Sequence, residues 1–234
     1  MKKNIQRNVG TVVNKLKLLS IELIILMAAF FSSAFLIVFL IKEVFILKTD
    51  VIDQSVFLFL NRHTFDQTTL FMQGFTLMGS HYFLVPANLL LIAYSYFIRK
   101  DTWFAIKTFA VAFSSLLIMF GLKILFNRAR PLSPLLHEVS GLSFPSGHAF
   151  MSFTFFGLLI FLVNRKIKNA ILKTIIILLL LSIIIMVGIS RIYLRVHYAT
   201  DVIAGFALGI MWLIISLWAL HIIEKNKTKL PPVQ

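Results

Sequence analysis

A chain of 234 residues that is 59% apolar and 14% charged departs from water-soluble domains, which carry about 25% charged and 45–50% apolar residues. Its apolar residues gather in long uncharged runs that only a bilayer can cover, so the composition excludes a soluble protein and leaves room for one membrane-embedded domain, 1–234. The absence of cysteine excludes disulfides and thiolate metal sites, and the net charge of +14 flanks apolar runs, which suits anionic lipid headgroups and not nucleic acid.

Lys2, Lys3, Arg7, Lys15 and Lys17 precede the first run in the manner of a secretory signal. Leu23–Ile41 nevertheless has 19 uncharged residues, where a signal core has about 7–15. We read it as a retained first span. Residues 42–66 are mixed, and their run Val56–Leu60 is too short to cross, so a helix lying on the membrane surface is expected. Gln67–Ile98 carries no formal charge over 32 residues. As one helix it would measure about 48 Å against a hydrocarbon core of about 30 Å. Gly74, Gly79, Ser80 and His81 predict a break there, which leaves Tyr82–Ile98 as the second span with a surface or partly inserted piece before it. Phe104–Leu122, Ala149–Val163, Thr174–Ile189 and Val202–Leu220 follow. The expected fold is all-α: a polytopic bundle of six transmembrane helices, with a short interfacial helical segment between the first and second spans.

With the N-terminus in the cytoplasm, 15 of the 23 Lys and Arg residues fall on that side and 8 outside. The positive-inside rule therefore puts both termini in the cytoplasm of a multi-pass cell-membrane protein. Five of the outer eight (Lys123, Arg128, Arg130, Arg191 and Arg195) lie in two short loops, where the rule would have none. Something there needs positive charge.

Three segments meet at that outer level. Lys123 and Arg130-Pro131 are separated by six residues, Pro145-Ser146-Gly147-His148 opens the fourth span, and Ser190-Arg191 leads to His197 and Asp201 at the sixth. Each part suits phosphoryl transfer. Lys123, Arg130 and Arg191 neutralise phosphoryl oxygens. The N–H groups of Ser146 and Gly147, at a helix start, offer an anion site. Asp201 accepts Nδ1–H of His197 and leaves Nε2 to attack phosphorus. His148 protonates the departing oxygen. No metal or other cofactor is called for, since fixed cations do the work that Mg²⁺ does elsewhere.

Taken singly, most of these residues have ordinary readings, such as a turn before a helix or a structural His–Asp pair. Their conjunction at one depth carries the argument. Arg128 and Arg195 read as interfacial or headgroup anchors. His63, His81, His137 and His221 read as structural or interfacial, Glu138 as a solvated loop charge, and the 24 Phe residues as lipid-facing packing.

The three segments together resemble the signature of the type-2 phosphatidic acid phosphatase superfamily, with every spacing matched between 123 and 201. The resemblance implies a phosphohistidine on His197, His148 as general acid and Asp201 orienting His197. It also implies phosphate binding by Lys123, Arg130, Ser146, Gly147, His148 and Arg191, followed by hydrolysis by water. That superfamily includes bacterial phosphatases for phosphatidylglycerol phosphate, undecaprenyl diphosphate and phosphatidic acid, and soluble vanadium haloperoxidases. A lipid phosphatase with its site facing outside is the leading expectation. A lipid phosphotransferase and a non-enzymatic phospholipid-binding or transport bundle are the alternatives. Transport would favour ionisable residues at mid-membrane, where the spans have none. The choice of lipid would come from 42–81 and 132–142, which show no readable pattern, and oligomeric state is not legible.

Overall fold

The computed structural model describes residues 2–62, 64–132, 134–135 and 141–227, with side chains for all of these except 2–20, 61 and 227. Among the described residues every regular element is helical. α1 (Lys2–Ile41) runs on through a π-helical stretch, Lys42–Ile46. α2 (Val51–Asn61) and α3 (Asp66–Met78) are short. α4 (His81–Ala93) continues as a π-helical stretch, Tyr94–Ile98. α5 (Thr102–Phe126), α6 (Gly147–Lys166), α7 (Ala170–Tyr193) and α8 (Ala199–Lys227) complete the chain. Among the described residues six stretches are long and apolar enough to cross a bilayer: Ile21–Ile46, His81–Ile98, Thr102–Phe126, Gly147–Lys166, Ala170–Tyr193 and Ala199–Asn226. Each contains one of the six expected spans.

Local chemistry explains the boundaries. Ser80 is extended (φ −80°, ψ 158°) and separates α3 from α4, which is the break expected in the uncharged run. Asp101 caps α5 by accepting the Phe104 N–H at 3.0 Å, and Asn169 caps α7 by accepting that of Leu172 at 3.0 Å. α5 stops at Asn127, whose left-handed φ of 44° suits asparagine better than most residues.

The expected interfacial segment is formed by α2 and α3, about 17 and 20 Å long and too short to span. One expectation needs correction: α7 does not end at Ile189. It continues to Tyr193, so Ser190 and Arg191 ride in its last turns, not in a loop. Helix persists there because these side chains are buried against protein. The Tyr193 hydroxyl pins α3 beside them, lying 3.2 Å from both the Phe65 N–H and Thr69 Oγ1.

Helices in lipid gain little from hydrophobic burial against one another, so close packing decides their contacts. α6 is the centre, packed on α7 and α8 most extensively. Gly205 of α8 allows close approach to backbone: a Cβ there would stand 2.7 Å from the Ser146 carbonyl oxygen. One turn on, a Cβ at Gly209 would stand 2.9 Å from Phe153. Phe144 is buried between Phe45 and Phe126, with ring centroids 5.2 and 4.9 Å away, and this fixes the turn that leads into α6. At the other end of the bundle the buried Lys107 of α5 meets Glu224 of α8 at 2.6 Å. The outer faces of α1, α4, α5 and α7 are apolar and exposed, as lipid-facing surfaces are.

Candidate active site

His197 sits in the turn between α7 and α8, two residues before α8 begins, so its pairing with Asp201 does not lie within one helix. That turn is closed by the Arg191 carbonyl, which accepts the N–H groups of Val196 and His197 at 3.1 and 3.2 Å. The His197 ring is 1% exposed. Its Nδ1 lies 3.4 Å from Asp201 Oδ2 and 3.4 Å from Ser143 Oγ. Its Nε2 faces Nη1 of Arg130 at 3.4 Å. Burial pushes the imidazole down from its ordinary 6.5 to about 4; Asp201 opposes the shift, while Arg130 and Arg191 reinforce it. The ring is therefore neutral at physiological pH, with Nδ1 against a carboxylate and Nε2 toward the cations.

Asp201 is fully buried and thoroughly solvated by protein. Oδ2 accepts the Ser143 hydroxyl at 2.5 Å and the Tyr198 N–H at 2.9 Å. The second bond is half of a capping box, since an acid in the first turn of α8 reaches back to the N–H before it. Oδ1 accepts Nη1 of Arg128 at 2.5 Å.

The cations approach from three elements. Lys123, in the last turn of α5, donates to the Leu142 carbonyl at 2.8 Å. Arg130 donates to the carbonyls of Gly141 and Val196 at 3.1 and 2.8 Å. Arg191, 4% exposed, donates to Thr76 Oγ1 of α3 at 2.6 Å, while its buried Nε has no partner among the described residues. A Cβ on Gly147 would stand 3.9 Å from Cε of Lys123, so the start of α6 adjoins the lysine. Gly79 adjoins His148: a Cβ there would lie 3.3 Å from the ring.

Two site expectations change. The Ser146 N–H is not available to an anion. It donates to the Asp201 carbonyl at 2.9 Å, because the Gly205 contact draws the two helix starts together. The Ser146 hydroxyl caps α6 through the Ala149 N–H at 3.5 Å. Arg128 is no headgroup anchor. It bridges Asp201 and Asp53 and lies 4.0 Å over the Tyr198 ring. Sequence reasoning missed Asp53, Ser143 and Thr76 altogether. For Asp53 the one signal was that it is the lone acid inside a short, largely apolar helix. His63, His137 and Glu138 lie outside the described residues. His81 lies not in this cluster but beside it, on the wall of an apolar cavity.

That cavity, about 290 Å³, lies between α4, α5 and α6. His148 and Gly147 stand at the end nearest the cation cluster, and Leu84, Leu89, Phe113 and Leu116 line its length. Leu89, Phe113 and Leu116 are also exposed at the bundle surface, so the cavity opens sideways toward lipid.

Fold and site together define a polytopic membrane protein with a cluster of cations beside a neutral imidazole. The PAP2 superfamily model matches residues 103–225. The chain is 37% identical over 142 residues to phosphatidylglycerophosphatase B of Bacillus subtilis (strain 168), covering 60% of this chain and 69% of that protein. Its fold matches the crystal structure of a transmembrane PAP2-type phosphatidylglycerolphosphate phosphatase from Bacillus subtilis with a TM-score of 0.69 at 27% identity, covering 88% of this chain and 98% of that one. Aquifex aeolicus LpxE matches with a TM-score of 0.53 at 29% identity, over 71% of this chain and 94% of that one. The chain belongs to the PAP2 superfamily and is a membrane phosphatase of that class.

Proposed function

We propose that the protein hydrolyses a phosphomonoester or diphosphate of a membrane lipid through a phosphohistidine on His197, at the extracytoplasmic face. The observation that carries the chemistry is the buried, neutral His197, with Nδ1 on Asp201 and Nε2 turned to Arg130. Nε2 attacks phosphorus and the P–O bond to the lipid breaks, with the departing oxygen taking a proton from His148. The ring becomes a phosphoimidazolium, which Asp201 stabilises. Water, giving a proton to His148, then cleaves the N–P bond. Lys123, Arg130 and Arg191 hold the phosphoryl oxygens throughout, and the unpartnered Arg191 Nε supplies one donor.

The cavity supports a lipid substrate. It begins at His148, the residue that serves the leaving group, so an apolar chain on that oxygen runs into it. Phosphatidylglycerol phosphate is the first substrate to try, since the Bacillus relatives are named for it. Phosphatidic acid and undecaprenyl diphosphate follow. The 15-to-8 distribution of cations supports the outward site. The deciding experiment is phosphate release from these lipids by purified protein in detergent. Activity on none of them overturns the reading. The outward placement fails if a cysteine introduced at Leu132 is labelled only after the membrane is permeabilised.

A further inference from the structure

Asp53 is the acid of α2, and it points away from lipid. Val51, Leu58 and Phe59 of the same helix are exposed, while Asp53 is 2% exposed. A carboxylate buried at that depth is costly unless it is fully paired. Asp53 is paired three times: to Nη2 of Arg128 at 2.8 Å, and to the N–H and Oγ1 of Thr200 at 2.9 and 2.8 Å. The other terminal nitrogen of Arg128 reaches Asp201 Oδ1. One guanidinium thus spans two carboxylates and touches each through a single nitrogen.

This split is informative because an unconstrained arginine prefers to take both oxygens of one carboxylate. If Arg128 did so at Asp201, it would claim Oδ2, the oxygen that faces His197 Nδ1, the Ser143 hydroxyl and the Tyr198 N–H. We propose that Asp53 is a positioning residue for the histidine chemistry: by holding one arm of Arg128, it confines the other to Oδ1 of Asp201 and keeps Oδ2 for His197. The inference rests on the nucleophilic role of His197. It extends the working unit beyond the signature segments to a helix they do not include, and it makes α2 part of the mechanism.

The test uses the full-length protein in detergent, with phosphatidylglycerol phosphate or whichever lipid of the panel the wild type cleaves. Asp53→Asn keeps shape and removes the charge. It should lower kcat about 10-fold or more, as loss of an outer partner of a working histidine does, with KM within about 3-fold because the phosphate-holding cations are untouched. Asp53→Glu should restore kcat to within about 3-fold. In an Asp201→Asn background, Asp53→Asn should change the remaining rate less than about 2-fold, since residues acting as one unit are not additive. Asp53→Thr, a second neutral variant, covers failure of the amide to fold. A wild-type kcat in either folded neutral variant overturns the proposal. So does an equal fold-loss in both backgrounds, or a loss confined to the folded fraction with kcat per folded molecule unchanged. A wild type that cleaves no lipid overturns the functional reading instead, which separates the two failures.

Discussion

The two helix pairs that flank the reaction centre are built in opposite ways. α6 and α8 meet through glycine, so closely that a methyl group at Gly205 would strike the Ser146 carbonyl. α4 and α5 stand apart around a cavity of about 290 Å³. The closed pair carries Asp201 and the start of α6, and the open pair carries lipid-facing leucine and phenylalanine. Catalytic groups need placement to within a fraction of an ångström, whereas an apolar chain needs only room.

Removing the reacting atom is the severest break. His197→Ala is expected to cut turnover by about 10⁴-fold or more and to abolish the phosphoenzyme. A folded His197→Ala protein with wild-type phosphate release ends the mechanism. Next comes the closed pair. Gly205→Ala forces a Cβ to 2.7 Å from a backbone oxygen, so the helix starts must part. We expect a stability loss of about 1–3 kcal/mol and a fall in kcat of about 100-fold, read by thermal unfolding and steady-state kinetics. The open pair should respond differently. Ala112→Phe fills the cavity wall and should raise KM for a long-chain lipid about 10-fold while sparing a short, soluble phosphate ester. Equal effects on both substrates would show that the chain binds elsewhere.

The smallest effect is on acid stability. The folded protein keeps His197 neutral down to about 4, whereas the unfolded chain protonates it near 6.5. The stabilisation is therefore complete above pH 6.5 and is lost as pH falls toward 4, by at most roughly 3 kcal/mol. His197→Gln should flatten that part of the stability curve, measured by denaturation between pH 4 and 7. The rate profile of the wild type should be bell-shaped, with an optimum between mildly acidic and neutral pH and limbs that belong to the coupled His197–His148 pair, measured as kcat against pH.

The spans were legible because a bilayer dictates length and apolarity, which linear sequence displays directly. That Lys123, Arg130, His148, Arg191, His197 and Asp201 come together was legible because the spacings within each segment are local and the residue types are unusual at a membrane edge. Asp53 was not. On an amphipathic surface helix an acid normally faces water, and only the packing of α2 on α8 turns this one inward. Arg128 resembled an anchor because its two partners are 75 and 73 residues away. Ser146 was misjudged for a related reason: its N–H finds a carbonyl that arrives only when Gly205 lets α8 close in.

The Lys107–Glu224 ion pair ties one end of α5 to α8, at the opposite end of the helix from Lys123. A rod clasped to α8 near one end moves least at the clasp and most at its far tip. Lys107 and Lys123 are 16 residues apart, or about 24 Å of helix. Any swing of α5 that widened the gap beside α4 would therefore be largest at the turn bearing Lys123, and admission of a bulky tail would be coupled to displacement of its ammonium, with the pivot at the opposite end of the bundle.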